Sequence, residues 1–184
     1  MAKPWVKIML LLGFLFVACG SPTPTDVYRT VTEPTLRPGD AVPRPTGPVV
    51  LSLTGKIGQT NVDDRLDFDL ATLEQLGLVE YEVDDPLLKT MTPRGVLLKN
   101  VLDVAKIAPD AKELFASAHN LYTTTIPLDV MKWPIVIATM RNGKRIPAEE
   151  RGPIEIVFPN RHYNIDEVTY NKMWVWQLES FDVR

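Results

Sequence analysis

The only cysteine in this 184-residue chain is at position 19, and that position limits the chemistry of the folded part more than any other feature. Lys3 and Lys7 come first, then an apolar run from Ile8 to Ala18 that ends in small residues. A charged start, a short apolar stretch and a small-residue cleavage point make up a secretory signal, assigned here to residues 1–18. A helix of that run would rise about 16 Å, short of a hydrocarbon core of about 30 Å. No later segment is long and apolar enough to span a bilayer. The part of the chain that folds after Cys19 is expected to work without a thiol. It then has no disulfide, no sulfur ligand for a metal and no cysteine nucleophile.

Phe16-Val17-Ala18-Cys19 resembles the lipobox of bacterial lipoproteins, with phenylalanine where that pattern prefers leucine. The resemblance implies lipidation at Cys19, palmitate among the acyl chains, and a lipid anchor in the bacterial cell envelope with the protein facing the periplasm. Several chains on one residue anchor stably, whereas one binds marginally. Gly20, in place of an aspartate, favours the outer membrane in a Gram-negative host. Residues 19–48 are read as the lipidated cysteine and a tether carrying seven prolines, from Pro22 to Pro48. Proline fixes φ and removes donors, so this stretch is expected to be extended and sparsely packed, with room for part of it to lie along the domain as an ordered arm. Loss of Lys3 and Lys7 with the signal takes the net charge from −3 to −5. With no basic excess and no basic run, nucleic acid is not an expected partner.

The domain is expected over residues 49–184, about 135 residues, enough for one core. Val49 to Ile57 is β-branched and partly alternating, as in a strand. Arg65 to Leu70 alternates and then turns helical: Asp69 suits an N-cap, Leu70, Leu73 and Leu76 share a face, and Gly77 suits the end. Leu78 to Val83 is strand-like. Val96 to Ile107 is the clearest helix, with an apolar face from Leu97, Leu98, Val101, Leu102, Val104 and Ala105. Leu114–Ala118, Leu121–Ile126, Pro134–Met140 and Ile154–Phe158 are expected strands, and Asn142-Gly143 is a hairpin turn. Met173 to Val183 alternates to the end, with Trp174, Trp176 and Leu178 on one side. The fold class is α+β, a mixed β-sheet with a few helices.

Most catalytic signatures are absent: no G-x-S-x-G, H-E-x-x-H, P-loop or G-x-G-x-x-G. His119 and His162 stand far apart without metal-site spacing. Asp63-Asp64 and Glu149-Glu150 are chain neighbours whose side chains diverge, so they read as solvated loops. Trp174 and Trp176 read as core or edge packing rather than a stacking platform.

Leu53-Thr54-Gly55-Lys56-Ile57, Thr72-Leu73-Glu74-Gln75-Leu76 and Arg94-Gly95-Val96-Leu97-Leu98-Lys99-Asn100-Val101-Leu102 occur in an order that resembles the sulfite-oxidase-type molybdopterin-binding domain. Asn142-Gly143-Lys144, Arg151-Gly152-Pro153-Ile154-Glu155-Ile156-Val157-Phe158-Pro159 and Trp174-Val175-Trp176-Gln177-Leu178 continue it, so that it covers roughly residues 49–184. The resemblance implies a single compact α+β domain built on mixed sheets. Catalytic members bind a molybdenum–pterin cofactor whose metal takes two pterin sulfurs and one cysteine sulfur. The matching stretch here, residues 84–93, contains no cysteine.

The resemblance also implies a pocket near Ala118-His119-Asn120-Leu121-Tyr122, where Asn120 and Tyr122 serve as polar walls. The alternative is a plain turn with Asn120 left-handed and Tyr122 packed in the sheet. Arg151, Arg161 and His162 lie in loops where the family pairs basic residues with a phosphate or an anionic substrate, and Arg94 borders the main helix. The expected cofactor-binding or anion-binding set is therefore Arg94, His119, Asn120, Tyr122, Arg151, Arg161 and His162, with no catalytic residue and no metal ligand. Three functions stay open. The first is a non-catalytic envelope lipoprotein that binds a small anionic ligand or a membrane signalling partner. The second is a molybdopterin-dependent oxidoreductase with a non-cysteine ligand such as Asp84 or Asp85. The third is an accessory protein of an envelope assembly.

Overall fold

The computed structural model describes residues 27–85 and 87–184. The signal segment, Cys19 and the first residues of the tether lie outside the described residues. In chain order the strands are β1 (Arg29–Thr32), β2 (Val49–Gly55), β3 (Leu66–Asp69), β4 (Leu78–Glu80), β5 (Val83–Asp85), β6 (Lys89–Met91) and β7 (Pro93–Leu97). They continue with β8 (Glu113–Ala118), β9 (Thr123–Pro127), β10 (Val136–Arg141), β11 (Lys144–Arg145), β12 (Glu155–Val157) and β13 (Leu178–Val183). The helices are α1 (Leu70–Glu74), α2 (Leu98–Ala105) and α3 (Glu167–Met173), and 3-10 turns occupy Leu128–Lys132 and Ala148–Glu150.

Two sheets organise these elements. One runs β1-β4-β7-β10-β11, with β12 also on β10, and the other runs β3-β2-β13-β8-β9. Pairing is antiparallel except for β13 on β2, where Ser180 to Val183 run parallel to Ser52 to Gly55. The β5–β6 hairpin stands apart as a two-stranded ribbon. A single core cluster joins residues of both sheets with the buried face of α2 (Leu98, Val101, Leu102 and Val104). The α+β expectation therefore holds. Alternation explains the strands locally: in β2, Leu51 and Leu53 are fully buried while their neighbours are not.

Helix α2 starts at Leu98, two residues after the expected start. Val96 and Leu97 belong to β7 and pair with Ile137 and Val136 of β10. The apolar run fits either period, and the neighbouring strand decides it. Lys106 closes the helix in a left-handed conformation, φ 53°. The alternating reading does not hold over 173–177: Met173 ends α3, whose Asp166 side chain accepts from Thr169 N at 2.9 Å, and residues 174–177 are irregular. Strand β13 begins only at Leu178. Asn142-Gly143 makes the hairpin between β10 and β11, both residues at positive φ.

From residue 27 the proline-rich stretch is extended but packed. Strand β1 pairs with β4, and Val27, Leu36 and Val42 are buried. Asp69 secures both this arm and α1. Its Oδ1 accepts from Thr72 N at 2.8 Å, and its Oδ2 accepts from Thr46 N at 2.8 Å and Gly47 N at 2.9 Å. Burial pushes the Asp69 carboxyl up, yet the donors from Thr72, Gly47 and Thr46 outweigh it and hold the group well below the ordinary carboxylate range. A carboxylate depressed in this way stabilises the fold above its unfolded pKa of about 3.9, and the benefit is lost as the pH falls through the folded value. Asp69→Ala is expected to cost about 2 kcal/mol in urea denaturation at pH 7. The gap to the unaltered protein should narrow as the pH is lowered below about 4.

Candidate functional site

Asp85, offered by the sequence as a possible ligand, and Arg151, offered as an anion-binding residue, form a closed joint. Asp85 ends β5, and its Oδ2 lies 2.6 Å from Arg151 Nη1. The Asp85 side chain is fully buried and that of Arg151 is 12% exposed. Asp85 Oδ1 also accepts from Leu87 N and Leu88 N, each at 2.8 Å. Arg151 follows the 3-10 turn in a left-handed conformation, φ 80°, and its guanidinium lies 3.9 Å over the Trp176 ring. Gln177 N then donates to Arg151 O at 2.7 Å. Burial raises the Asp85 carboxyl, but Arg151 and the Leu87 and Leu88 amides more than compensate, so it stays charged below the usual range. Nearby, Glu155 is fully buried against Arg141 at 3.0 Å, and its Oε2 has no partner among the described residues. Burial pushes the Glu155 carboxyl up despite that arginine.

Two openings flank the joint. The larger, about 600 Å³, is lined by Asp84, Asn160, Arg161, His162 and Tyr170 among others. Arg161 pairs there with Glu82 at 3.0 Å and approaches Asp84 at 3.7 Å. His162 sits edge-on to Tyr81 with centroids 6.1 Å apart. Asn160 fastens the loop to the ribbon, accepting from Asp84 N at 3.1 Å and donating to Asp84 O at 2.8 Å.

The second opening is a pair of clefts, about 290 and 220 Å³, that share Asn171, Trp174 and Trp176. Asn120 and Tyr122 line the first and Leu87 the second. Trp174 is buried, and its Nε1–H has no partner among the described residues. Tyr122 is 42% exposed and donates from Oη to Lys172 O at 2.7 Å. It is therefore a wall of the cleft and not sheet packing. The left-handed residue of its loop is Leu121, φ 69°, and not Asn120, whose Oδ1 accepts from Tyr122 N at 3.0 Å.

The seven expected residues do not converge on one anion cleft. Asn120 and Tyr122 meet at the tryptophan clefts, and Arg151 joins them through Trp176. Arg161 and His162 lie in the larger opening. Arg94 is elsewhere on the first sheet, bridged to Glu80 at 2.7 Å, and Arg29 binds the same carboxylate. His119 lines a third hollow, 3.8 Å from Glu179. Each of the three arginines faces a carboxylate; Arg94 and Arg151 are largely buried against theirs, whereas Arg161 pairs with the exposed Glu82. In the hollow around His119, the Ser52 hydroxyl donates a hydrogen bond to the buried Asp67 at 2.7 Å. The signal missed in the sequence was α3, which supplies Asn171. Asp166 three residues before Thr169, with Tyr170, Met173 and Trp174 at helical spacing, would have revealed it.

A family model for the oxidoreductase molybdopterin binding domain matches residues 59–168. The chain belongs to this family. The sulfane dehydrogenase SoxCD from Paracoccus pantotrophus has a similar structure, with a TM-score of 0.57 and 16% identity. The match covers 72% of this chain and 37% of that one, so the chain spans well under half the length of that relative, and the likeness is one of fold. No curated protein sequence matches the chain.

This molybdopterin binding domain does not supply the donors that a thiolate-held molybdenum requires. The sole cysteine is Cys19, outside residues 84–93 in the sequence, and Asp85 is committed to Arg151 and two backbone amides. Among the described residues, no group of three or more histidine, cysteine, aspartate or glutamate side chains is arranged to hold a metal ion.

Proposed function

We propose that this member of the family is a non-catalytic binding domain, carried at the cell envelope by lipid on Cys19, and that its ligand occupies the clefts around Trp174 and Trp176. The observation that carries the reading is the Asp85–Arg151 pair stacked on Trp176, which ties up a carboxylate of residues 84–93, the stretch that by resemblance corresponds to the one bearing the metal thiolate in catalytic members. A buried carboxylate neutralised by an arginine is a poor metal ligand, because binding the metal would leave the guanidinium buried and unpaired.

The clefts beside that joint suit a small, flat, unsaturated ring. Trp174, Trp176 and Tyr122 offer aromatic surface, the amides of Asn120 and Asn171 offer donors and acceptors, and Trp174 Nε1 is a donor to spare. With the nearby arginines paired, the site favours a ring of little charge over a strong anion. A membrane signalling partner would then read the ligand-bound state.

The test is to produce the protein in a host that makes the molybdenum cofactor, purify it without chelator, and measure molybdenum by mass spectrometry. A free pterin is then titrated against tryptophan fluorescence. The expected result is no molybdenum, together with saturable quenching that Trp176→Ala removes. Near-stoichiometric molybdenum would overturn the non-catalytic reading and restore the oxidoreductase.

A further inference from the structure

The second sheet has two outer strands, and the chain treats them differently. On β3 the outward main-chain groups of Asp67 are occupied: its N–H donates to Asn61 Oδ1 and its carbonyl accepts from Asn61 Nδ2, both at 2.8 Å. One asparagine side chain stands in for a further strand. Strand β9, at the other end, has no side chain standing in this way among the described residues, although α3 lies against it.

Its parity follows from the ladder. Ala118 N donates to Tyr122 O and Leu128 N donates to Lys112 O, both at 2.9 Å, and Thr124 and Ile126 stand opposite Ala116 and Leu114. The main-chain groups of Tyr122, Thr124, Ile126 and Leu128 therefore turn towards β8, and those of Thr123 and Thr125 turn outward. No hydrogen bond to the outward groups of these two threonines is found among the described residues.

The open edge faces a groove of about 470 Å³. Its far side is formed by Thr169, Lys172 and Met173, which share one face of α3, and by Val130 and Trp133 around the 3-10 turn. Lys132 and Lys172 line it without a carboxylate partner among the described residues, Lys132 resting 4.7 Å over the Trp133 ring. Asp129 is the one acidic residue of the lining. The groove is thus locally positive in a chain of net charge −3, and the partly exposed Trp133 ring adds apolar surface to its lining.

We propose that β9 takes up an extended acidic segment of a partner protein as an added strand. The outward N–H and C=O groups of Thr123 and Thr125 supply the ladder bonds, Lys132 and Lys172 select acidic side chains, and the partly exposed Trp133 ring receives the apolar side chains that alternate with them. This surface is separate from the tryptophan clefts and does not depend on what they bind.

The test uses a capped hexapeptide alternating valine and glutamate, long enough to cover a five-residue strand of about 17 Å. Amide hydrogen exchange of the purified protein is followed residue by residue. The peptide should slow the Thr123 and Thr125 amides about tenfold or more while leaving Thr124 and Ile126, already bonded to β8, unchanged. Exchanging Lys132→Glu and Lys172→Glu together should weaken binding about tenfold, and added salt should weaken it in the unaltered protein. Thr125→Pro, which removes only an outward N–H, should fold and lose the peptide. Unchanged exchange at Thr123 and Thr125 under millimolar peptide overturns the proposal. So does full binding by the charge-reversed variant, or protection confined to Tyr122 and Asn171, which would place the peptide on the tryptophan clefts.

Discussion

Asp85→Ala is expected to lower the stability of the folded domain by about 3–5 kcal/mol, and Arg151→Ala by a similar amount, in denaturant titrations at neutral pH. Either change leaves one buried charge facing an alanine. Asp85→Ala also deprives Leu87 N and Leu88 N of their acceptor. Arg151→Ala also strips the guanidinium from the Trp176 ring. Replacing both at once, Asp85→Leu with Arg151→Met, should recover most of the loss, because no unpaired charge then remains. The coupling between the two sites is the decisive quantity, since residues in direct contact depart from additivity. A single variant within about 1 kcal/mol of the unaltered protein would mean that the joint is an ordinary surface pair, and the argument against a metal ligand at Asp85 would lose its footing.

Gly95→Ala should be as damaging, for a steric reason. Gly95 lies in β7 between two strands, opposite Val79 on one side and Ala138 on the other. A Cβ there would come 2.0 Å from Ile137 O and 2.6 Å from Ala138 Cα, both backbone atoms that cannot rotate away. Next to this contact the β10 register shifts between Ala138 and Met140, and Thr139 sends its hydroxyl to Glu74 at 2.5 Å. The expected cost is about 3 kcal/mol or more, with loss of the β7–β10 pairing in hydrogen exchange. Gly47→Ala is the control. Its Cβ would meet Asp69 Oδ2 at an ordinary 3.6 Å, and the change should stay within about 0.5 kcal/mol.

Periodicity and local chemistry carried much of the fold. The Asp69 cap, the hairpin at Asn142-Gly143 and the buried strand at β10 depend on neighbours within a few residues, so they were legible in the chain. Element ends were not. Val96 and Leu97 satisfy a helical and an extended pattern equally, and only their pairing with Ile137 and Val136 places them in β7. The tryptophans show the same limit. Trp174 is packed, as its apolar character suggested, but Trp176 also carries Arg151 on its ring and shares the walls of two clefts.

The candidate site was legible in its residue types and not in its grouping. Arg94, Arg151 and Arg161 could be chosen from the family motifs, but their partners Glu80, Asp85 and Glu82 stand 14, 66 and 79 positions away along the chain. Whether an arginine is free for a ligand or spent on a carboxylate depends on which distant residue the fold brings within about 4 Å. The sequence by itself determined what the folded part lacks and what it is built from: no thiol beyond Cys19, an α+β framework, and the family. The tertiary structure alone decided that Asp85 and Arg151 neutralise each other, that the expected cleft divides into separate openings, and that among the described residues the outward groups of Thr123 and Thr125 on β9 have no partner. Composition and periodicity are properties of short stretches, whereas charge pairing, cavities and free sheet edges arise from contacts between residues far apart in the chain.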